Sequence, residues 1–318
     1  MHSRIAKTLK TPGGYLRSWR MSSSISQWQG KIGLLLLSPT MLLIVVLIGY
    51  PLIYSVTLAF KDLYLVKGID SATWVGLDNF IRFFKDPQTP RIIRNTSLYV
   101  TGSLITQFSF GLLIATLLNR KLRFRGIMRA VALIPWVMPT LVATIVWRWI
   151  LDGQWGILGY VLMQLGVINQ PIQWLADPRV IWWSVILVSL WRHFPFWYVN
   201  LLAGLQVIPE ELYEAAKIDG ASTTTCFIHI TIPMLRPIIV VLFLLETIWR
   251  SNEFTTIWTL TRGGPGSATM TMAPLVYMQS FSFYRMGYSS AIAVLLAIAM
   301  MIFTVIYLRR TALDIDRA

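Results

Sequence analysis

Charged residues are scarce in this sequence. Asp, Glu, Lys and Arg make up 13% of its 318 residues and apolar residues make up 55%, whereas charged residues account for about 25% of a typical soluble domain. Such a chain cannot cover a water-facing surface with charge, which excludes an ordinary cytosolic enzyme and a disordered chain. The composition is instead typical of an integral membrane protein, in which each spanning helix needs about 20 apolar residues.

Cysteine and acidic residues are also few. Cys226 is the only cysteine, which excludes an internal disulfide and leaves the redox compartment open. The 14 acidic residues are outnumbered by 28 Lys and Arg, so the net charge is +14. A basic balance can indicate a nucleic-acid partner, but in a membrane chain it more often marks cytoplasmic loops that face anionic lipid. We therefore expect contact with membrane lipid and no nucleic-acid partner.

Long uncharged runs predict about six membrane-spanning helices. Four runs are uninterrupted, and two contain isolated charges, which cost about 2.5–3.5 kcal/mol each at mid-membrane and must face protein or water. Two other uncharged stretches, 153–176 and 263–284, are rich in Gly, Gln, Pro, Ser and Thr and are predicted to be loops or interfacial helices. The predicted fold class is an all-α, polytopic membrane protein with a transmembrane domain over 32–308 and spans over 32–60, 95–119, 130–151, 180–207, 237–260 and 286–308.

The distribution of Lys and Arg orients these spans, because short cytoplasmic loops carry an excess of basic residues. The loop over 120–129 has five basic residues and no acid, so it is assigned to the cytoplasmic side. Both termini are then cytoplasmic, with a basic arm over 1–31 and a tail over 309–318. The first apolar run is much longer than the ~7–15 residues of a signal peptide, so we expect it to be an uncleaved anchor.

The loop between the fourth and fifth predicted spans departs from this basic trend, since residues 209–233 contain four acidic residues. A proline and two glutamates at its start suit the first turn of a helix. Gly220 fits the left-handed position that ends a helix, and Ser222 can cap the next one. Pro233 and Pro237 are expected to stop that second helix before the membrane is re-entered. The loop is therefore predicted to form a helix–Gly–helix hairpin, although a plain interfacial hairpin fits the same periodicity.

The spacing within this loop resembles the EAA loop of ABC importer permeases. The residues that carry the resemblance are Glu214-Ala215-Ala216, Asp219-Gly220-Ala221 and Ile232-Pro233. A second element, Leu260-Thr261-Arg262-Gly263-Gly264-Pro265, resembles the LT-x-GGP element of the carbohydrate branch. Over about 34–308, the chain is similar to permeases of the maltose, trehalose and glycerol-phosphate type.

This resemblance implies a type I ABC importer permease fold in the bacterial inner membrane. The chain would be the translocation subunit of an ATP-driven importer for a sugar or sugar-like solute that an external binding protein delivers. Its partners would be a second permease in a heterodimer and two ATPase subunits, which carry ATP and Mg. The chain itself has no G-x-x-x-x-G-K-[ST] phosphate loop, so we expect no cofactor, no metal and no enzyme activity in it. The hairpin would be the ATPase-coupling element, through Glu214, Ala215, Ala216, Asp219 and Gly220.

Polar residues inside the fourth and fifth predicted spans are spaced so that those of each span share one helical face. Glu246 and Arg250 could simply pair with each other, four residues apart, to make their burial tolerable. Alternatively, Arg192 and Arg250 suit an anionic or phosphorylated polyol, because arginine binds such groups in a bidentate way. By position, the resemblance implies that the solute path is lined by Ser189, His193, Phe196, Glu246, Arg250 and Glu253.

Two other classes of protein compete with an importer subunit. A self-sufficient secondary transporter predicts internal repeats with broken helices in matching positions, and the sequence shows no such symmetry. An intramembrane enzyme would need a nucleophile and a base, and only Ser189 and His193 have a suitable spacing within a span. No third activating group or nucleophile motif accompanies that pair, so both alternatives are disfavoured.

Overall fold

The computed structural model describes residues 33 and 35–315. The predicted arm over 1–31 and the last residues of the predicted tail, 316–318, lie outside the described residues. The described part is mainly helical, as its apolar runs predict. The elements in chain order are α1 (Leu35–Ala59), β1 (Lys61–Asp62), β2 (Thr73–Trp74), α2 (Asp78–Lys85), α3 (Thr89–Asn119), α4 (Arg125–Val137), α5 (Thr140–Ile150), α6 (Ile157–Gln164), α7 (Ile181–Leu205), α8 (Glu210–Ile218), α9 (Thr223–Ser251), α10 (Thr255–Thr261), α11 (Met272–Tyr277) and α12 (Met286–Ile315).

The chain divides by its contacts into two units, Met1–Thr57 and Leu58–Ala318. The described part of the first unit is most of α1, a 25-residue helix with a mean hydropathy of 2.3. A π-helical turn, Val45–Gly49, lies within α1 shortly before Pro51. Wide turns of this kind give a proline ring room inside a helix. This helix is therefore long and apolar enough to cross a membrane, and it does not stop at Pro51.

Among the described residues, four helices are long and apolar enough to cross a membrane, namely α1, α3, α9 and α12. Helix α7 matches the predicted fourth span and has 25 residues. It is not among these four helices, because Arg192, His193 and Asn200 lower its mean hydropathy. The predicted second span begins earlier than expected, at Thr89, with a proline in its first turn. The last helix continues beyond the predicted boundary at 308, so the first part of the predicted tail is helical.

The predicted third span, 130–151, is not one straight helix. The structure has α4 and α5 there, bent by 95° where they meet. Met138 is extended, with φ −65° and ψ 137°, because Pro139 follows it and a residue before proline disfavours the helical region. The bent pair is a broken span or a re-entrant loop, and counting it as one span gives five candidate spans among the described residues.

The predicted fifth span, 237–260, is also placed differently. Helix α9 already begins at Thr223 and ends at Ser251, so Pro233 and Pro237 lie inside it and do not stop a separate helix. A π-helical turn, Phe227–Thr231, precedes them, and the Ile232 N–H donates to the Phe227 carbonyl. This wider turn accommodates Pro233, and Pro237 lies inside the regular helix that follows, so the predicted stop was wrong.

The core of the second unit forms where α3 crosses α7. Trp197, Tyr198 and Leu201 of α7 are each at most 1% exposed. Gly111 of α3 lies against them, and a Cβ added there would be 2.5 Å from the Trp197 Cβ. Small residues permit such close approach between membrane helices. Polar side chains on the facing sides of α3 and α7 are consequently brought into contact with one another.

A short hairpin after α1 packs against the start of α12. Strands β1 and β2 pair antiparallel, with Lys61 opposite Trp74. The Asn79 side chain donates to the carbonyls of Ala59, at 3.0 Å, and Lys61, at 2.9 Å. A Cβ added at Gly287 of α12 would lie 1.9 Å from the Lys61 carbonyl oxygen. Only glycine fits at this crossing, which fixes the hairpin on the last helix.

Candidate functional site

The first candidate site is the helix α8 and the sharp turn that follows it. Gly220 has φ +81°, a left-handed value that glycine adopts without strain. The Gly220 N–H donates to the Lys217 carbonyl at 3.0 Å, and the Ala221 N–H donates to the Ala216 carbonyl at 2.8 Å. These two bonds are the pattern of a glycine-terminated helix. The predicted helix end and its glycine are therefore in place.

The turn leads directly into α9. The Ser222 hydroxyl accepts from the Thr225 N–H at 3.1 Å and so caps the first turn of α9. The Tyr213 hydroxyl on α8 lies 3.0 Å from the Thr231 hydroxyl on α9. The second helix of the predicted hairpin is thus the beginning of a spanning helix, 29 residues long. A displacement of α8 would be passed to α9 through both the turn and this hydrogen bond.

The predicted coupling residues lie together on the surface of this hairpin. Glu214, Ala215, Asp219 and Gly220 are exposed and Ala216 is partly buried. The neighbouring Ile218 is also 86% exposed, which is unusual for an isoleucine in a charged segment. The described residues of the chain therefore leave this acidic, small-residue surface uncovered.

A cavity of about 500 Å³ lies between α8, the last turn of α3 and the first turns of α9. Both acids and bases line it, with Arg120 and Lys217 facing the same space as Glu210 and Glu214. The end of α3 therefore lies beside the hairpin formed by α8 and the start of α9, which the family resemblance predicts to be the coupling hairpin.

The second candidate site is a buried polar cluster between α7 and α9. Arg250 Nε lies 3.0 Å from Glu246 Oε2, and Arg250 Nη1 lies 3.2 Å from Glu253 Oε2. Arg250 Nη1 also lies 3.0 Å from His193 Nδ1 and 3.1 Å from His193 Nε2. His193 Nδ1 is 2.9 Å from the Ser189 carbonyl oxygen. Because a carbonyl only accepts, the contact with Ser189 favours the tautomer of His193 with the proton on Nδ1, which leaves Nε2 as the ring nitrogen that can accept from Arg250.

Ser189 joins this cluster to α3. Its hydroxyl lies 3.1 Å from the Tyr99 hydroxyl, 3.3 Å from the Ser103 hydroxyl and 3.0 Å from Gln107 Nε2. Trp197 Nε1 donates to Gln107 Oε1 at 3.4 Å. All five side chains are at most 1% exposed. Sequence reasoning missed the three α3 residues, although their spacing of four along one helix face is a signal that could have found them.

Glu253 extends the cluster across the break between α9 and α10. Its Oε1 accepts from both the N–H and the hydroxyl of Thr256, at 2.9 Å each. Its other oxygen accepts from Arg250, so one carboxylate links the end of α9 to the start of α10. Burying such charges is tolerable only when they are paired and hydrogen-bonded. Five of the six predicted path residues therefore form one connected network inside the subunit.

Phe196, the sixth predicted path residue, is not part of this network. Its ring packs against Trp136, with centroids 6.0 Å apart, and against Trp249, at 5.1 Å. It is partly buried, and Trp249 is 45% exposed. The structure thus separates an aromatic surface from the polar cluster one helical turn away.

Arg192 also has a different setting from the one considered for it. Its Nη1 donates to the carbonyls of Pro135, at 3.1 Å, and Trp136, at 2.8 Å, and its Nη2 donates to the Thr140 hydroxyl at 3.2 Å. Carbonyls in the last turn of a helix have no intrahelical partner. Arg192 therefore satisfies the backbone groups that the break after α4 releases.

The loop with the second signature, after α10, is held to the beginning of α3. Asn95 Nδ2 donates to the carbonyls of Ser267 and Met270, each at 3.1 Å. Gly263 has φ +80°, and a Cβ there would lie 2.4 Å from the end of the Met270 side chain. This loop and the coupling hairpin lie at opposite ends of α3, whose 31 residues span about 46 Å at 1.5 Å per residue. That length exceeds the ~30 Å hydrocarbon core, so the two signature loops belong to opposite membrane faces.

A polar pocket of about 430 Å³ lies beside this loop. Arg148, Asp152 and Arg262 line it. The backbone N–H groups of Trp155 and Gln154 donate to Asp152 and hold the pKa of its carboxyl below the ordinary value. The pocket therefore presents a carboxylate with two guanidinium groups at the end of the molecule remote from the coupling hairpin.

Comparison with known proteins identifies the family. Residues 107–313 match the model of the family described as binding-protein-dependent transport system inner membrane component. The chain belongs to this family. The matched residues include the coupling hairpin and the α7 and α9 parts of the polar cluster.

Curated relatives are similar over most of this permease. It is 33% identical over 293 residues, 91% of this chain and 96% of the relative, to the trehalose/maltose transport system permease protein MalF of Thermococcus litoralis. It is 34% identical over 278 residues, 87% of this chain and 89% of the relative, to the sulfoquinovosyl glycerol transport system permease protein SmoG of Agrobacterium fabrum. The permease is therefore a translocation component of an ABC importer and not an enzyme.

A solved structure shares the fold. It is a chain of a bacterial ABC transporter involved in the import of the acidic polysaccharide alginate, with a TM-score of 0.76 and 21% identity over 92% of this chain and 98% of that chain. The permease accordingly has the type I ABC importer fold, as the EAA resemblance predicts.

Proposed function

We propose that this permease is one of two different membrane subunits of an ATP-driven importer for a sugar or sugar-like solute. An external binding protein delivers the solute, and two ATPase subunits bind ATP and Mg and drive transport. Two relatives that span most of the chain carry names of sugar-type transport systems. The observation that carries the proposal is the exposed acidic hairpin, which is continuous with a spanning helix.

In this proposal the hairpin residues Glu214, Ala215, Ala216, Asp219 and Gly220 dock on an ATPase subunit. The small alanine side chains allow a partner backbone to approach closely, and the exposed Ile218 offers an apolar contact. The two acids would pair with basic residues of the ATPase at the rim of the contact. This assigns the hairpin, the loop over 120–129 and both termini to the cytoplasmic side.

The solute path is proposed to run beside the polar cluster. Glu246 Oε1 is buried and has no hydrogen-bond partner among the described residues, so it is available to accept from a solute hydroxyl. The exposed face of Trp249 beside Phe196 would pack on the C–H faces of a sugar. Arg250 is already paired with two carboxylates, which favours a neutral sugar over the anionic or phosphorylated polyol considered above.

The coupling proposal is tested by reversing the charge of Asp219. In the reconstituted transporter, Asp219→Lys is expected to abolish uptake and to release the ATPase subunits in pull-down experiments, while the permease keeps its thermal stability because the residue is exposed. The matched control is Asp70→Lys, which changes an exposed aspartate in the segment between β1 and β2. Intact assembly and uptake in Asp219→Lys would remove the hairpin from the coupling role.

The solute class is tested by binding assays of the cognate external protein against neutral sugars, phosphorylated polyols and amino acids. We expect binding of a neutral or nearly neutral sugar, followed by uptake of the same compound through the complete transporter. Binding restricted to amino acids or to phosphorylated polyols would contradict the proposal.

A further inference from the structure

The strongest unexplained feature is the segment that joins α3 to α4. Arg120, Lys121, Arg123 and Arg125 are all exposed, and no acid lies between residues 120 and 129. Exposed apolar side chains alternate with them, including Phe124, which is 65% exposed. Alternation of basic and bulky apolar residues is typical of a segment at a membrane interface, where the bases meet headgroups and the apolar side chains enter the lipid.

A groove begins at the end of this segment and runs between α4 and α7. Its volume is about 220 Å³, and Leu133, Val199, Leu202 and Ala203 give it a mostly apolar lining. Arg129 stands at its polar end. Tyr198 and Gln206 complete the lining, but Arg129 is the only charged residue among the described residues that line the groove, so a soluble anion would occupy only the Arg129 end.

Arg129 is held in position by one hydrogen bond from its side chain and one to its backbone carbonyl. Its Nη2 donates to the Leu118 carbonyl at 2.9 Å, and its own carbonyl accepts from the Tyr198 hydroxyl at 2.7 Å. Its Nε is buried and has no hydrogen-bond partner in the part of the chain that the structure describes. A buried donor without a partner is rare and calls for an acceptor.

We infer that this segment and groove form a binding site for one anionic phospholipid. The headgroup phosphate lies among Arg123, Arg125 and Arg129, and one acyl chain lies in the groove between α4 and α7. The N-terminal end of α4, which begins at Arg125, adds the positive end of its helix dipole. An uncharged or zwitterionic lipid would fill the groove equally well but would leave this concentration of positive charge without compensation.

The site lies at the same end of the molecule as the coupling hairpin, because Arg120 lines the cavity beside Glu214. The inference stands independently of the solute proposed above, since it rests on the basic segment and the groove alone.

The experiment counts bound lipid on the assembled transporter in detergent by native mass spectrometry, during titration with phosphatidylglycerol or phosphatidylcholine. The double variant Arg123→Gln, Arg125→Gln is expected to weaken phosphatidylglycerol binding roughly 25-fold, since each base near an anionic headgroup contributes about a fivefold factor. The matched control is Arg309→Gln, Arg310→Gln, which removes the same charge from exposed positions on α12. Equal loss in both double variants would show general surface charge and overturn the site.

A second variant tests the groove and separates lipid from a soluble anion. Ala203→Phe fills the groove without changing charge and is expected to weaken phosphatidylglycerol binding, while glycerol phosphate alone should compete poorly in the unmodified transporter. If Ala203→Phe binds phosphatidylglycerol normally, or if glycerol phosphate displaces it at similar concentration, the acyl-chain groove is refuted.

Discussion

The predicted coupling hairpin and the buried polar cluster lie at the two ends of one helix, α9, and treat charged residues in opposite ways. The hairpin leaves acids and an isoleucine exposed and closes its backbone locally, through Gly220 and Ser222. The cluster buries Glu246 and Arg250, at 1% and 5% exposure, and takes its partners from three helices. The comparison teaches that the exposed hairpin depends on local turn chemistry, whereas buried charge depends on the whole packing arrangement.

The largest effect is expected at the centre of the cluster. Arg250→Met would leave the carboxylates of Glu246 and Glu253 buried without their cation, which costs about 3–5 kcal/mol. We expect a much lower midpoint in thermal unfolding of the detergent-solubilised transporter. The control Arg179→Met removes an arginine whose side chain is 90% exposed, and a change of at most about 1 kcal/mol is expected there.

The same variant also separates a structural pair from a solute site. Adding Glu246→Leu to Arg250→Met should recover part of the lost stability, because one unpaired carboxylate is removed. Recovery of stability together with normal uptake would show that Glu246 and Arg250 only support the fold. Recovery of stability without uptake would place them in the solute path.

An intermediate effect is expected at Gln107. Gln107→Leu removes the bond to the Ser189 hydroxyl and leaves the Trp197 indole N–H buried without an acceptor. Loss of such a buried partner costs about 1–3 kcal/mol. The unfolding midpoint should fall less than in Arg250→Met, and an unchanged midpoint would mean that α3 and α7 pack without the help of this network. Thr116→Leu, a polar residue near the exposed end of the same helix, is the comparison variant.

The smallest effect on stability is expected in the hairpin. Gly220→Ala places a Cβ at a left-handed φ, which costs about 1–2 kcal/mol, but nothing lies within 4 Å of that Cβ. The unfolding midpoint should therefore fall by no more than this strain accounts for, and by less than in Arg250→Met, while ATP-driven uptake falls because the turn between α8 and α9 is distorted. Gly126→Ala, at an open helical position, is the control, and equal uptake in the two variants would show that the turn geometry is unimportant.

The hairpin was predictable because its signals are local. A proline with glutamates at the helix start, Gly220 at its end and Ser222 as a cap are each interpretable without any other part of the chain. The prediction of one unbroken helix through Pro139 and the prediction of a helix stop at Pro233 were wrong for the same reason. Pro139 breaks the third span and Pro233 does not break the fifth, and the difference depends on the π-helical turn before Pro233, which residue spacing alone does not reveal.

The cluster was only half predictable. Spacing placed Glu246 with Arg250 and Ser189 with His193 on shared faces, since residues four apart in a helix are neighbours. The choice of which faces meet requires the crossing of α3 and α7, and this brings in Tyr99, Ser103 and Gln107. For the same reason Phe196, which shares a periodicity with His193, lies among aromatic rings instead.

The hydroxyl contact between Tyr213 and Thr231 attaches α9 to α8 near the start of α9. From Thr231 to Arg250 the helix measures about 29 Å at 1.5 Å per residue. A tilt of about 5° at this contact would sweep the far end by about 2.5 Å, which is nearly the length of a hydrogen bond. In the proposed coupling, such a tilt at the hairpin would be large enough to break the hydrogen bonds of Arg250 near the other end of α9.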